Sequence, residues 1–135
     1  DTDRNNIYII DFGFCKTYIR DDQHILLSKT SNLIGSLTYA STNAHDFNEL
    51  SRRDDMESVG YMLIYFYFGY LPWQNIIEDD DVHIKIKELK QTIVIEWGVP
   101  SVIIDYINYI NQLDFYDEPD YNLLINNFEK QIELL

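Results

Sequence analysis

The sequence predicts a mainly α-helical domain with a short strand and a long loop at its front. Three observations point to this class: an apolar run at residues 7–10, a stretch at 14–48 without sustained hydrophobic periodicity, and apolar patterns of helical spacing from Met56 onward. The 135 residues suit one domain, which at this size buries roughly 68–70% of its unfolded surface. A hydrophobic content of 46% excludes disorder as a description of the whole chain.

The first predicted element is the run Ile7-Tyr8-Ile9-Ile10, which is short, apolar and rich in β-forming residues. Such a run predicts a buried strand. It ends at Asp11-Phe12-Gly13, where the glycine lets the backbone reverse. The following residues, 14–48, are rich in Ser, Thr and Asn. A loop of that length in a compact domain is typical of a functional or a disordered segment.

The clearest helical pattern begins after Ser51. A polar start with acids in the first turn precedes apolar residues that recur at helical spacing up to Tyr70. The positions between them are also apolar or aromatic, which predicts a helix buried on every side. A membrane span is the competing interpretation, because residues 58–77 carry no charge. The uninterrupted apolar part is only about 13 residues long, however, which favours a core helix.

Three more helices are predicted towards the C-terminus. The first runs from Val82 to about Gln91, and its lysines, Lys85, Lys87 and Lys90, are expected to face outward. The second runs from about Pro100 to Leu113. The third begins at Tyr121, and Asp120 is its predicted N-cap residue. The apolar stripes of the last two helices are Val102, Ile103, Tyr106, Ile107 and Ile110, and then Leu124, Ile125, Phe128 and Ile132.

Charge and cysteine content limit the partners and the compartment. The net charge of −13 opposes binding to nucleic acid and to anionic membranes, and it favours basic partners. A single cysteine, Cys15, excludes an internal disulfide and is typical of a reducing compartment. The first six residues are polar and contain no secretory pattern. We therefore expect a cytoplasmic protein, with the nucleus as the alternative. Because the sequence begins at Asp1 and its only methionines are Met56 and Met62, we also expect it to be one piece of a longer protein.

Asp11-Phe12-Gly13 is the first candidate for chemistry. A carboxylate just past a strand can face a cleft, and protein kinases hold Mg²⁺ against ATP phosphates with this arrangement. The competing interpretation is an ordinary acidic turn. His24, His45 and His83 lack the spacing of metal ligands. Cys15 is expected to be packed and inert.

Further blocks separate the two interpretations of the tripeptide. In chain order the blocks are Tyr8-Ile9-Ile10-Asp11-Phe12-Gly13, Asn32-Leu33-Ile34-Gly35-Ser36-Leu37-Thr38-Tyr39-Ala40-Ser41, Ser51-Arg52-Arg53-Asp54-Asp55-Met56-Glu57-Ser58-Val59-Gly60-Tyr61, Leu71-Pro72-Trp73-Gln74 and Asp117-Glu118-Pro119-Asp120-Tyr121. Together they resemble the casein kinase 1 family of serine/threonine protein kinases over essentially the whole chain. The implied fold is part of the large, C-terminal lobe of a protein kinase, with an activation segment at 11–43 and a helical region at 51–135.

The resemblance implies roles for particular residues. Asp11 would bind Mg²⁺, and Ile10 would lie under the nucleotide base. Gly35 and Ser36 would support the substrate loop, with serine in place of the family's threonine. Asp55 would be the buried acid that accepts hydrogen bonds from the catalytic-loop backbone. Met56 to Tyr70 would be the central helix of the lobe.

The same resemblance implies ATP and Mg²⁺ as cofactors, protein substrates and a missing N-terminal lobe as partner. The Gly-rich loop, the strand lysine and the catalytic-loop base are absent from residues 1–135, and the base is expected upstream. No catalytic residue is therefore assigned to this chain, and we expect no phosphoryl transfer by the chain alone. The alternative is a truncated, non-catalytic pseudokinase whose acidic surface binds other proteins.

Overall fold

The computed structural model describes residues 7–76 and 80–134. Its elements are a 3₁₀ turn at Phe12–Phe14, strands β1 (Ile19–Arg20) and β2 (Gln23–His24), and helices α1 (Thr42–His45), α2 (Arg52–Phe68), α3 (Val82–Glu96), α4 (Ser101–Ile110) and α5 (Tyr121–Glu133). The mainly α-helical class is confirmed. No helix in the described ranges is long and apolar enough to cross a membrane.

Helix α2 begins and ends where local chemistry requires. At its start, the backbone N–H of Ser51 donates to Oδ2 of Asp54 at 2.8 Å, which is half of a capping box. At its end, Gly69 has φ +79°, and its N–H donates to the carbonyl of Tyr65 at 2.7 Å. This left-handed glycine stops the helix at Phe68 rather than at the predicted Tyr70.

The core forms where α2 packs against α4. Tyr61 and Ile64 of α2 are buried, as are Ile107 and Ile110 of α4. A Cβ added at Gly60 would lie 3.1 Å from Cγ1 of Ile107, so the glycine allows the close approach of the two helices.

The prediction that α2 is buried on every side is wrong. Val59 and Met62 are partly exposed, and Phe66 and Tyr67 are 71% and 60% exposed. Within residues 7–76 and 80–134, no element covers this flank, so the apolar side chains there face solvent.

Helix α3 extends five residues past its predicted end and is oriented differently from the prediction. Lys90, expected to face outward, is 2% exposed, whereas Ile84 is 59% exposed. Lys90 turns inward because its ammonium group meets backbone carbonyls of an earlier segment. Lys87 lies at the surface and pairs with Asp46.

The last two helices agree with the sequence pattern. Ile103, Tyr106, Ile107 and Ile110 of α4 are buried. Asp120 caps α5 by accepting the N–H of Leu123 at 2.9 Å. Only part of the α5 stripe is used, because Ile125 and Ile132 are exposed.

The predicted strand at residues 7–10 is not formed. Ile7 to Ile10 are 76–97% exposed and have no regular structure. A strand needs a partner edge, and the one sheet in the described part of the chain is the hairpin in which Ile19 pairs with His24. That hairpin lies within the stretch predicted as loop.

Candidate functional site

A cleft of about 540 Å³ lies between the front segment and the start of α2. It brings together four of the residues that the sequence singled out: Asp11, Gly35, Ser36 and Asp55. The fifth, Ile10, is 79% exposed and does not line the cleft. Cys15 lines the same cleft and is exposed, so the prediction that it is packed is wrong.

Asp11 presents its carboxylate at this cleft. Its backbone is left-handed, with φ +61°, a region that aspartate tolerates better than most residues. Oδ1 accepts the N–H of Gly13 at 3.3 Å. Among the described residues this is the only hydrogen bond to the carboxylate, which leaves its oxygens available to an additional ligand. A carboxylate so placed has the hard oxygen donors that Mg²⁺ prefers.

Phe12 and Phe14 flank this turn without packing inward. They are 65% and 81% exposed. The described residues supply no apolar surface above them, so the 3₁₀ turn is held by Asp11 and by the bond from Cys15 N–H to the Phe12 carbonyl at 3.1 Å.

Gly35 and Ser36 lie in a tight turn that lines the same cleft. Gly35 has φ +100°, a conformation that glycine adopts without steric cost. The carbonyl of Ser36 accepts N–H groups from Tyr39 at 3.2 Å and from Ala40 at 2.9 Å. Ser36 is exposed, so its hydroxyl is accessible from the cleft.

The buried acid at the start of α2 is Asp54, not Asp55. Asp54 is 2% exposed, and Oδ1 accepts the hydroxyl of Ser41 at 2.7 Å and the amide of Asn43 at 3.0 Å. Asp55 is exposed towards the cleft, so its predicted burial is not seen. The catalytic-loop backbone that it is expected to bind is absent from residues 1–135, so that role stays a prediction. Burial of part of its surface and the charge of Asp54 raise the pKa of Asp55. Adjacent residues of a helix point in different directions. Asp54 therefore faces Ser41 and Asn43, whereas Asp55 points away from them.

A second buried carboxylate ties the same loop to α2. Oε1 of Glu57 accepts the backbone N–H of Thr42 at 2.9 Å and the hydroxyl of Tyr61 at 2.5 Å. Burial raises the pKa of Glu57, and the hydrogen bonds from Tyr61 and Thr42 oppose that rise. Glu57 was not among the residues singled out from the sequence, and the available signal was that it is the one charged residue of α2 after Asp55.

The histidines are closer together than their sequence spacing suggested. Nδ1 of His45 lies 3.4 Å from Nδ1 of His83. No group of three potential metal ligands occurs within the part of the chain that the structure describes. His45 also contacts Lys90, and these three residues form a connected polar cluster below the loop.

Comparison with protein families agrees with this architecture. The family model for the protein kinase domain matches residues 1–129, which is nearly the whole chain. Protein kinase domains in general bind ATP and Mg²⁺ and act on protein substrates. The mainly helical body described above is that of part of a kinase C-terminal lobe. The chain therefore belongs to the protein kinase domain family.

Proposed function

We propose that this chain is part of a serine/threonine protein kinase of the casein kinase 1 type. The complete enzyme would transfer the γ-phosphoryl group of ATP to serine or threonine hydroxyls of proteins. Residues 11–43 would serve as the activation segment, and residues 51–135 as the helical part of the C-terminal lobe. Asp11 would hold Mg²⁺ at the cleft.

The observation that carries the proposal is that Asp11, Gly35 and Ser36 line one cleft. A kinase needs a metal-binding carboxylate beside the loop that presents the substrate hydroxyl. These residues are 24 and more positions apart in the sequence, so the cleft joins them by folding and not by adjacency.

Contacts between two of the family-like blocks support the casein kinase 1 assignment. Ser41-Thr42-Asn43 stands where most kinases carry Ala-Pro-Glu. Ser41 and Asn43 both donate to Asp54 of the Arg52-Arg53-Asp54-Asp55 block. Thr42 donates to Glu57 of the same helix. Each residue of the Ser41-Thr42-Asn43 triplet therefore donates a hydrogen bond to an acid of α2, either Asp54 or Glu57.

The residues present fit a bound Mg²⁺ through Asp11, whose carboxylate accepts one hydrogen bond within the described ranges. When bound, the metal would neutralise phosphate charge. The turn at Gly35 and Ser36 would position the protein substrate, and the Ser41–Asp54 bond would keep that turn at a fixed distance from α2. The sequence of residues 1–135 contains no phosphate-binding glycine loop and no catalytic-loop base, so we expect no turnover from this chain alone.

Thermal unfolding of residues 1–135 with millimolar ATP and Mg²⁺ tests the proposal, because a ligand that binds only the folded form raises its stability. We expect the nucleotide and metal together to raise the Tm of the wild type, and Asp11→Asn to abolish the rise. Asp22→Asn is the matched control, since Asp22 is also exposed and left-handed, with φ +59°. Asn tolerates that backbone region, so both variants should fold.

Two outcomes would count against the assignment. A rise that persists in Asp11→Asn would remove Asp11 from the metal site. No rise in the wild type would favour the alternative, in which the chain is a non-catalytic module that binds proteins.

A further inference from the structure

Lys90 is a buried cation whose amine contacts three acceptors from one segment. Its Nζ lies 2.9 Å from the carbonyl oxygen of Leu37, 2.6 Å from that of Ala40 and 2.9 Å from Nε2 of His45. The rings of Tyr61 and Trp73 lie 4.8 Å and 5.4 Å from the same nitrogen. These hydrogen bonds of Lys90 therefore all go to residues 37–45, and two aromatic rings lie close to its amine.

We propose that Lys90 is a positioning residue that holds the 36–45 segment against α3 through a hydrogen-bonded chain formed by Lys90, His45 and His83. The turn at Gly35 and Ser36 leads directly into this segment, so Lys90 would set the position of the proposed substrate loop. That functional meaning rests on the proposed function, whereas the hydrogen-bonded chain itself does not.

Three backbone carbonyls of the segment accept hydrogen bonds from side chains. The carbonyl of Thr38 accepts from Nε1 of Trp73 at 2.7 Å, and the neighbouring carbonyls of Leu37 and Ala40 accept from Lys90. A buried carbonyl that loses its donor keeps the full cost of desolvation. Lys90 therefore supplies hydrogen bonds that a regular helix or sheet would provide elsewhere.

The hydrogen bonds that link Lys90, His45 and His83 can be satisfied by two arrangements of their protons. An ammonium group on Lys90 donates to all three partners, so Nε2 of His45 is bare and its proton lies on Nδ1, facing Nδ1 of His83. A neutral amine donates only to the two carbonyls, and its lone pair accepts the Nε2–H of His45. In that state Nδ1 of His45 is bare and accepts a hydrogen bond from the Nδ1–H of His83, so His83 also changes tautomer. Loss of one proton from Lys90 thus reverses the tautomer of His45 without breaking a contact.

The surroundings place this change near neutral pH. Burial lowers the pKa of Lys90 to about 7, and the carboxylate of Glu57 on α2 opposes that lowering. Around His45 the charged and titratable neighbours are Lys90, His83, Asp46 and Lys87. Asp46 is held by Lys87 at 2.6 Å, which leaves His83 as the member of the chain that leads towards the surface.

The first test is NMR of the histidine ring nitrogens in residues 1–135 between pH 6 and pH 9. We expect His45 to change from the Nδ1–H to the Nε2–H tautomer, with the same midpoint as the Nζ signal of Lys90. In Lys90→Met the tautomer of His45 should not change with pH. A wild-type His45 that keeps one tautomer throughout would overturn the proposal, even if Lys90→Met failed to fold.

The second test is amide hydrogen exchange. The N–H groups of Tyr39 and Ala40, which bond to Ser36, should exchange at least tenfold faster in Lys90→Met, while amides of α4 keep their rates. Lys130→Met, on the exposed face of α5, is the matched control. Unchanged rates at Tyr39 and Ala40, or equal acceleration in α4, would refute a local positioning role. Neither test involves nucleotide, so its result is independent of the ATP experiment.

Discussion

The hydroxyl of Ser41 donates to the carboxylate of Asp54 at 2.7 Å, with both residues at most 2% exposed. This contact joins the end of the loop segment to the first turn of α2. The other oxygen of Asp54 caps the helix by accepting the N–H of Ser51. One carboxylate therefore fixes both where the helix begins and where the loop attaches to it.

Replacement of Asp54 by alanine should destabilise the chain. The change removes a helix cap and leaves the Ser41 hydroxyl and the Asn43 amide without their acceptor. Loss of a cap costs about 1 kcal/mol, and buried hydrogen bonds to a charged group add about 1.5–3 kcal/mol. We expect the free energy of unfolding to fall by about 2–4 kcal/mol in chemical denaturation.

Asp55→Ala is the matched control for that experiment. Asp55 is the next residue in the same turn, but it is exposed. It contributes mainly through the helix dipole, so its loss should cost less than about 1 kcal/mol. Equal losses at the two positions would contradict the assignment of Asp54 as the structural acid.

Replacement of Gly69 should lower the free energy of unfolding through backbone strain alone, without a steric clash. Its φ is +79°, and a Cβ added there would meet nothing within 4 Å. Gly69→Ala should therefore lower the free energy of unfolding by about 1–2 kcal/mol, because alanine is strained in the left-handed region. Gly69→Asn should cost clearly less, since asparagine tolerates that region. A neutral Gly69→Ala would show that α2 can end in another way.

His45 should make stability fall as the solution is acidified. Burial and the charge of Lys90 lower the pKa of His45 from 6.5 to about 3. Between those values the unfolded chain binds a proton that the folded chain does not, so stability is lost as the pH falls below 6.5. The contribution is about 2 kcal/mol between pH 7 and pH 5.

The measurement is the difference in unfolding free energy between pH 7 and pH 5 for the wild type and for His45→Gln. Glutamine offers an acceptor to Lys90 and does not titrate. We expect the pH dependence to shrink by about 2 kcal/mol in the variant, whatever its absolute stability. An unchanged pH dependence would mean that folding does not lower the pKa of His45.

The exposed flank of α2 should promote self-association. Phe66 and Tyr67 are largely exposed beside Val59 and Met62, and apolar patches of this kind mark interfaces or sites of aggregation. Phe66→Gln should reduce the apparent size in light scattering and change the unfolding free energy by less than about 1 kcal/mol. A wild-type chain that is already a monodisperse monomer would argue against this prediction.

The helices could be predicted because their signals are local. The polar start after Ser51 and the N-cap at Asp120 mark the beginnings of α2 and α5, and the stripe of α4 matches its buried face. The prediction of a strand at residues 7–10 failed because a strand needs a neighbouring strand to pair with, which an apolar composition does not supply. The prediction that Lys90 faces outward failed because its acceptors, the carbonyls of Leu37 and Ala40, lie about 50 residues earlier in the chain.

Part of the candidate site could be predicted because some of its residues lie in short local motifs. Asp11, Gly35 and Ser36 could be identified from motifs, and the structure brings them to one cleft. That Asp54 rather than Asp55 is buried against Ser41 and Asn43 could not be predicted, because adjacent acids differ only in helix phase. The Lys90–His45–His83 chain joins three elements, and no spacing rule in the sequence indicates it.

Binding of a divalent cation by Asp11 at the cleft is the step on which the proposed function depends most. Paramagnetic Mn²⁺ with ATP, added to ¹⁵N-labelled residues 1–135, tests this directly because it broadens signals near the ion even when binding is weak. We predict broadening of Gly13, Cys15, Gly35 and Ser36 in the wild type and in Asp22→Asn, and its loss in Asp11→Asn. The same broadening in Asp11→Asn, or broadening confined to residues away from this cleft, would contradict the account.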